Sequence, residues 1–134
     1  MRQVKKQIET YNESLKDNAE MKDIVNGGKE LIKKIDKWES NLIEPRSKNF
    51  QDVINFPNKL NAEFLQLRGV ADTHDPRLTQ GVQDRARDVQ ADWNKYKQQM
   101  NDIEKKDMAG YNQMFKDKNV PAHITEKKEV IINN

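Results

Sequence analysis

The strongest constraint on this chain lies between Val82 and Ile103. Val82, Ala86, Val89, Trp93, Tyr96, Met100 and Ile103 follow one another at steps of 4-3-4-3-4-3. That spacing places all seven on one narrow stripe of a single α-helix, the seam of a bundle or coiled coil. A stripe of this kind needs other helices to cover it, because helical stability in proteins comes mostly from packing. The spacing predicts a helix from Gln80 to about Lys116, roughly 55 Å long at 1.5 Å per residue. Thr79 is the expected N-cap, and Asn119-Val120-Pro121 the stop. The pattern loosens through Tyr111, Met114 and Phe115.

Three further helices follow from the same reasoning. Val4, Ile8, Tyr11 and Leu15 share one face of a first helix, about Arg2 to Asp17. A second runs from about Ala19 to Ile43, carried by Met21, Ile24, Val25, Leu31, Ile32, Ile35, Trp38 and Leu42. Gly27 and Gly28 fall inside it, and glycine costs a helix about 1 kcal/mol relative to alanine. Gly28 lies on the apolar face, so the expectation is a continuous helix approached closely there by a neighbour. Pro45 ends that helix, since Glu44 before it avoids the α region. A third helix is expected from Pro57 to Ala71, with Phe56 in the N-cap position and Leu60, Phe64, Leu67 and Ala71 on one stripe. Asp72 to Pro76 reads as a turn. Short connections favour antiparallel neighbours. The expected fold is therefore an all-α, up-and-down helical bundle of about four helices, two long and two short. One ordered loop, residues 44–56, crosses it. Residues 1–125 are expected to form a single domain, and 126–134 a flexible or extended tail.

Leu, Ile, Val and Phe make up 29 of 134 residues, enough for a thin core and no more. Each half of the chain carries 12 Lys/Arg and 11 Asp/Glu, so no basic stripe offers itself to nucleic acid. No apolar run reaches the roughly 18 residues of a membrane span. Cysteine is absent, which excludes disulfides and thiolate metal sites.

No catalytic constellation stands out. His74, between Asp72 and Asp75, has the residue types of a metal loop but reads as a surface turn, and His123 is the one other histidine. Helix-borne Glu-x-x-His and His-Glu-x-x-His arrangements are missing. The carboxylates interleave with lysines on polar faces, where nothing shifts one of a pair as glycoside cleavage requires. Trp38 and Trp93 are expected in the core. No cofactor or metal is expected. The segment that does stand out is residues 48–62, KNFQDVINFPNKLNA. Phe50, Val53, Ile54 and Phe56 form an apolar cluster, expected to be buried as a structural clasp or, failing that, exposed as an interaction surface. Gln51, Asp52, Asn55, Asn58 and Asn61 accompany it. The three asparagines either satisfy backbone groups near the helix start or bind a sugar.

This segment resembles one near the C-terminus of BNR/Asp-box repeat proteins, the sortilin-like β-propeller proteins often labelled glycosyl hydrolases. Trp38-Glu39-Ser40-Asn41-Leu42 before it, Pro76-Arg77-Leu78-Thr79 after it, the Asp107-to-Asn112 pattern and Val120-Pro121 are similar too. The resemblance covers about residues 5–125. It implies a C-terminal helical domain of a longer, extracytoplasmic or secreted protein, lying beside a propeller of which this chain carries no Asp-box. The expected function is a non-catalytic accessory or interaction domain, with the propeller or another protein as partner. The alternatives are a carbohydrate-binding module and self-association through the Val82–Ile103 seam.

Overall fold

The structure, a computed structural model, describes residues 1–73, 78–121 and 124, less the side chains of Phe50 and Val53. His74, Asp75, Pro76, His123 and the tail from Glu126 lie outside the described residues, and with them the histidine turn and the tail foreseen above. The fold is an all-α helical bundle of four helices, and no strand occurs among the described residues. Helix α1 spans Arg2–Leu15 and α2 spans Lys22–Leu42, entered through a single 3₁₀ turn, Ala19–Met21. Helix α3 spans Leu60–Asp72. The long last helix comprises α4 (Gln80–Asp102), a π turn (Ile103–Asp107) and α5 (Met108–Asp117). The chain packs as two compact units, residues 1–35 with 103–134 and residues 36–102.

Most of the apolar burial is in the first unit. Val4 and Ile8 of α1, Ile24, Val25, Leu31 and Ile35 of α2, and Ile103, Met108, Tyr111 and Phe115 of the last helix are all buried. Phe115 is fully enclosed and takes the rings of Tyr11 and Tyr111 edge-on, at centroid distances of 5.4 and 5.1 Å. Edge-to-face geometry suits the ring quadrupoles. Helix α2 does run unbroken through Gly27 and Gly28. A β-carbon on Gly28 would sit 2.8 Å from the Tyr111 hydroxyl and closer still to the Asn12 amide. One on Gly27 would meet the Met114 sulfur at 2.9 Å. The two glycines weaken the helix locally and are kept because α1 and α5 come this near.

The π turn explains why the apolar pattern loosens. From Ile103 the next buried position is Met108, a step of five. An α-helix would rotate such a residue off the core face. One turn of i→i+5 bonding absorbs the additional residue and brings Met108, Tyr111 and Phe115 back into register. Lys34 Nζ meets Asp107 Oδ1 at 2.5 Å at this turn. The helix ends in a complete Schellman motif. Val120 N–H donates to Phe115 O and Asn119 N–H to Lys116 O, with Asn119 at φ 54°. Beyond it, buried Asn112 donates from Nδ2 to Ile124 O at 3.0 Å and accepts from Ile124 N at 2.8 Å on Oδ1. The carboxamide thus pairs with both backbone groups of one residue, and the Ile124 side chain enters the core.

The second unit is more sparsely filled. Only Leu60 and Val89 are buried among its described side chains. Helix α3 packs on α4, and along the seam Val89 is buried while Ala86 stays exposed. Trp38 is half-buried and its Nε1 donates to Tyr96 O at 2.8 Å. Two helix boundaries differ from expectation. Helix α1 stops at Leu15 rather than Asp17, because the chain turns there to let Asn18 cap the 3₁₀ turn through Glu20 N. Helix α3 starts at Leu60 rather than Pro57. Phe56 N–H is taken by Asp52 O, so Phe56 finishes the preceding turn, and Lys59 occupies the N-cap position. Lysine has no acceptor to offer, and no side chain caps α3.

The close approach at Gly28 yields a paired prediction. Gly28→Ala adds helix propensity worth about 1 kcal/mol but overpacks a contact where insertion costs typically 1–3 kcal/mol. Thermal unfolding is expected to fall by several degrees. Gly110, with open space around its Cα, is the control. Gly110→Ala is expected to stabilise by about 0.5–1 kcal/mol. Equal shifts in both variants would show that no close packing exists at Gly28.

Candidate functional site

The clasp segment is not irregular chain. Residues Phe50–Ile54 form a 3₁₀ helix, held at its start by a capping box. Asn49 Oδ1 accepts from Gln51 N at 2.9 Å, and Asp52 Oδ2 accepts from Lys48 N at 2.6 Å and Asn49 N at 3.0 Å. These bonds to its charged form hold the Asp52 carboxyl below its ordinary range, the Lys48 amide contributing most. Upstream, Glu44 receives Arg46 as a fork, Nε to Oε1 at 2.7 Å and Nη2 to Oε2 at 2.9 Å. The guanidinium lies over the Phe56 ring, 4.5 Å from its centroid. The Glu44 side chain is only 10% exposed. Its bond to Arg46 lowers the carboxyl to about 2.

The loop is therefore tied by its own polar groups, and the expected burial of its apolar cluster fails where it can be seen. Ile54 is 84% exposed and Phe56 is half-buried beneath Arg46. Gln51 and Asn55 face water. The expectation that Asn55, Asn58 and Asn61 satisfy backbone groups is also corrected. Asn49 and Asp52 do that work, and the side chains of Asn55, Asn58 and Asn61 make no hydrogen bond to described residues.

Three depressions adjoin the start of α3, and Asn58 lines each of them. The largest, about 380 Å³, lies between α3 and the first turns of α4. Leu67, Val70 and Val82 give it apolar walls, and Gln66, Thr79 and Arg85 a polar rim. Next to it is a polar pocket of about 170 Å³ lined by Asn41, Lys59, Asp92 and Tyr96. Glu63 borders both and is ion-paired with Arg85. A third, about 120 Å³, sits under the loop between Glu44, Phe56 and Asn61. Of the nine residues singled out from sequence, Phe56, Asn58 and Asn61 are brought to these depressions. Tyr96 stood out in sequence only as a seam position, and Glu63, Arg85 and Asp92 not as site residues, because what unites them is the pairing of α3 with α4.

Nothing at this site assembles a metal centre: no three of His, Asp and Glu converge among the described residues. No helix among them is long and apolar enough to cross a membrane. No family model, curated protein or solved structure matches the chain.

A group whose folded pKa is depressed stabilises above its unfolded value and loses that contribution as pH falls. For Glu44 the window runs from the ordinary 4.5 down to about 2. The Arg46 side-chain NMR resonances, displaced by the Phe56 ring, are expected to hold position to about pH 3 and to collapse toward random-coil values near pH 2. A transition centred at pH 4.5 would show that Glu44 makes no such bond.

Proposed function

We propose that this chain is a non-catalytic accessory domain that docks on a protein surface, its partner being the β-propeller of the BNR/Asp-box type that its sequence resembles. One observation carries the reading. Among the described residues, the large apolar side chains left in water are Ile54, Phe64, Leu65, Val70 and Leu78, all within one stretch of the second unit. Among the described residues the first unit exposes none of comparable size. Single exposed leucines are ordinary, but a concentration of this kind marks contact surface. The distribution of charge agrees. Several ion pairs, such as Arg68–Asp72 and Lys33–Glu30, are solvent-exposed and local, and pairs of this sort contribute little beyond solvation. Asn112 is the one buried polar side chain among the described residues, and both its groups are used within the fold.

Self-association through the long seam has less support, since α3 packs on α4 and Val89 is already buried within the chain. The extracytoplasmic location implied by the resemblance belongs to the same proposal.

The test uses the region encoded upstream, produced separately and titrated with this chain by calorimetry. Binding is expected, and Ile54→Asp with Leu65→Asp should weaken it at least tenfold, about 1.4 kcal/mol. Both side chains are exposed, so helical content and thermal unfolding should not change. An upstream region without an Asp-box propeller, or unaltered affinity in the double variant, would overturn the proposal.

A further inference from the structure

The groove between α3 and α4 and the polar pocket beside it have complementary chemistry and a shared wall. The groove, about 380 Å³, falls within the 300–1,000 Å³ of small-molecule sites. Its apolar walls, Leu67, Val70 and Val82, ask for an apolar body. Its charges ask for no ion. Arg85 is paired with Glu63 and lies 4.0 Å from Asp88 Oδ2. An anion entering the groove competes with two carboxylates for Arg85, and a cation competes with Arg85 for Glu63. The partners left over are neutral: the amides of Asn58 and Gln66 make no hydrogen bond to described residues.

The adjoining pocket is lined differently. Asp92 and Glu63 are acceptors, Lys59 is a donor, and Asn58 and Tyr96 can be both. A group that both donates and accepts at several points satisfies such a lining, and a set of vicinal hydroxyls does so without carrying charge. We propose that groove and pocket form one site for a neutral amphiphile, with the apolar chain or ring between α3 and α4 and a polyhydroxylated head against Asn58, Asp92 and Tyr96. Of the three asparagines that sequence marks for sugar binding, the site uses Asn58. The assignment does not depend on docking to a propeller.

Octyl glucoside, held below its micelle-forming concentration, is a suitable probe for calorimetry on the full chain. Its dissociation constant is expected at about 1 mM or tighter. Glucose alone, octanol alone and an octyl sulfate of equal chain length should each bind at least tenfold more weakly. Gly81 borders the groove, is exposed, and has open space at its Cα, with Thr79 Oγ1 the nearest atom to an added β-carbon at 4.0 Å. Gly81→Phe should fill the groove and abolish glucoside binding while leaving thermal unfolding intact. Asn58→Ala should weaken glucoside several-fold and leave octanol unchanged. Leu65→Asp, outside the groove, should leave both unchanged. The proposal is overturned by absence of binding, by octanol or the sulfate matching the glucoside, or by a Gly81→Phe variant that binds normally.

Discussion

The contact that the better-filled half of this protein depends on is the approach of the Tyr111 hydroxyl and the Asn12 amide to Gly28. Where most helix pairs interpose side chains, α2 here offers bare backbone, and α1 and α5 use the space. The hydroxyl sits 3.3 Å from Asn12 Oδ1, so the polar groups brought in by the close approach satisfy one another. Burial pushes the Tyr111 hydroxyl up to about 12, because the phenolate is disfavoured away from water. Phe115 then fills in behind the two tyrosine rings. The π turn is the counterpart of this arrangement. Without its additional residue, Met108, Tyr111 and Phe115 would rotate away from α2. Asn112 completes the unit by holding Ile124 in the core through paired backbone bonds. A chain with so few apolar residues builds a core by concentrating them in one place.

That concentration has a consequence for the other unit. With Leu60 and Val89 its only buried side chains among those described, it leaves Leu65 and Ile54 in water and two adjoining depressions between its helices. The loop that leads into α3 is tied by its own polar groups. Glu44, Arg46, Asn49 and Asp52 hold it through charge-assisted and capping bonds, which are stronger and more directional than neutral ones. Of the apolar side chains of that loop, Ile54 is left in water.

The helices were legible because each is written in a single period. The 4-3 steps of Val82–Ile103 and the stripe from Met21 to Leu42 gave the long helices nearly to the residue, and Gly28 on an apolar face announced a near neighbour. The π turn was hidden because a five-residue step reads as a fading pattern, although Met108 between Ile103 and Tyr111 carried the signal. The 3₁₀ helix was readable in Asn49-x-x-Asp52, a capping-box spacing, but the four apolar residues around it pointed to burial. Phe56 before Pro57 resembled a helix start, and what decided otherwise was a single bond, Phe56 N–H to Asp52 O. Ile124 could not be identified, since its burial depends on Asn112 twelve residues away. The same holds for the candidate site, where Glu63 and Arg85 meet across 22 residues.

Whether Tyr111 is enclosed against Gly28 decides how this core is built, and a spectrophotometric titration reads it directly. In a variant carrying Tyr11→Phe and Tyr96→Phe, Tyr111 is the sole phenol, and its ionisation is followed by ultraviolet absorbance while circular dichroism follows the helices. A phenol whose folded pKa is raised stabilises the fold below its ordinary value near 10 and loses that contribution as pH climbs toward 12. Tyr111 is expected to stay protonated past pH 11, and its ionisation to coincide with loss of helix. Ionisation centred near pH 10 with the helices intact would contradict it.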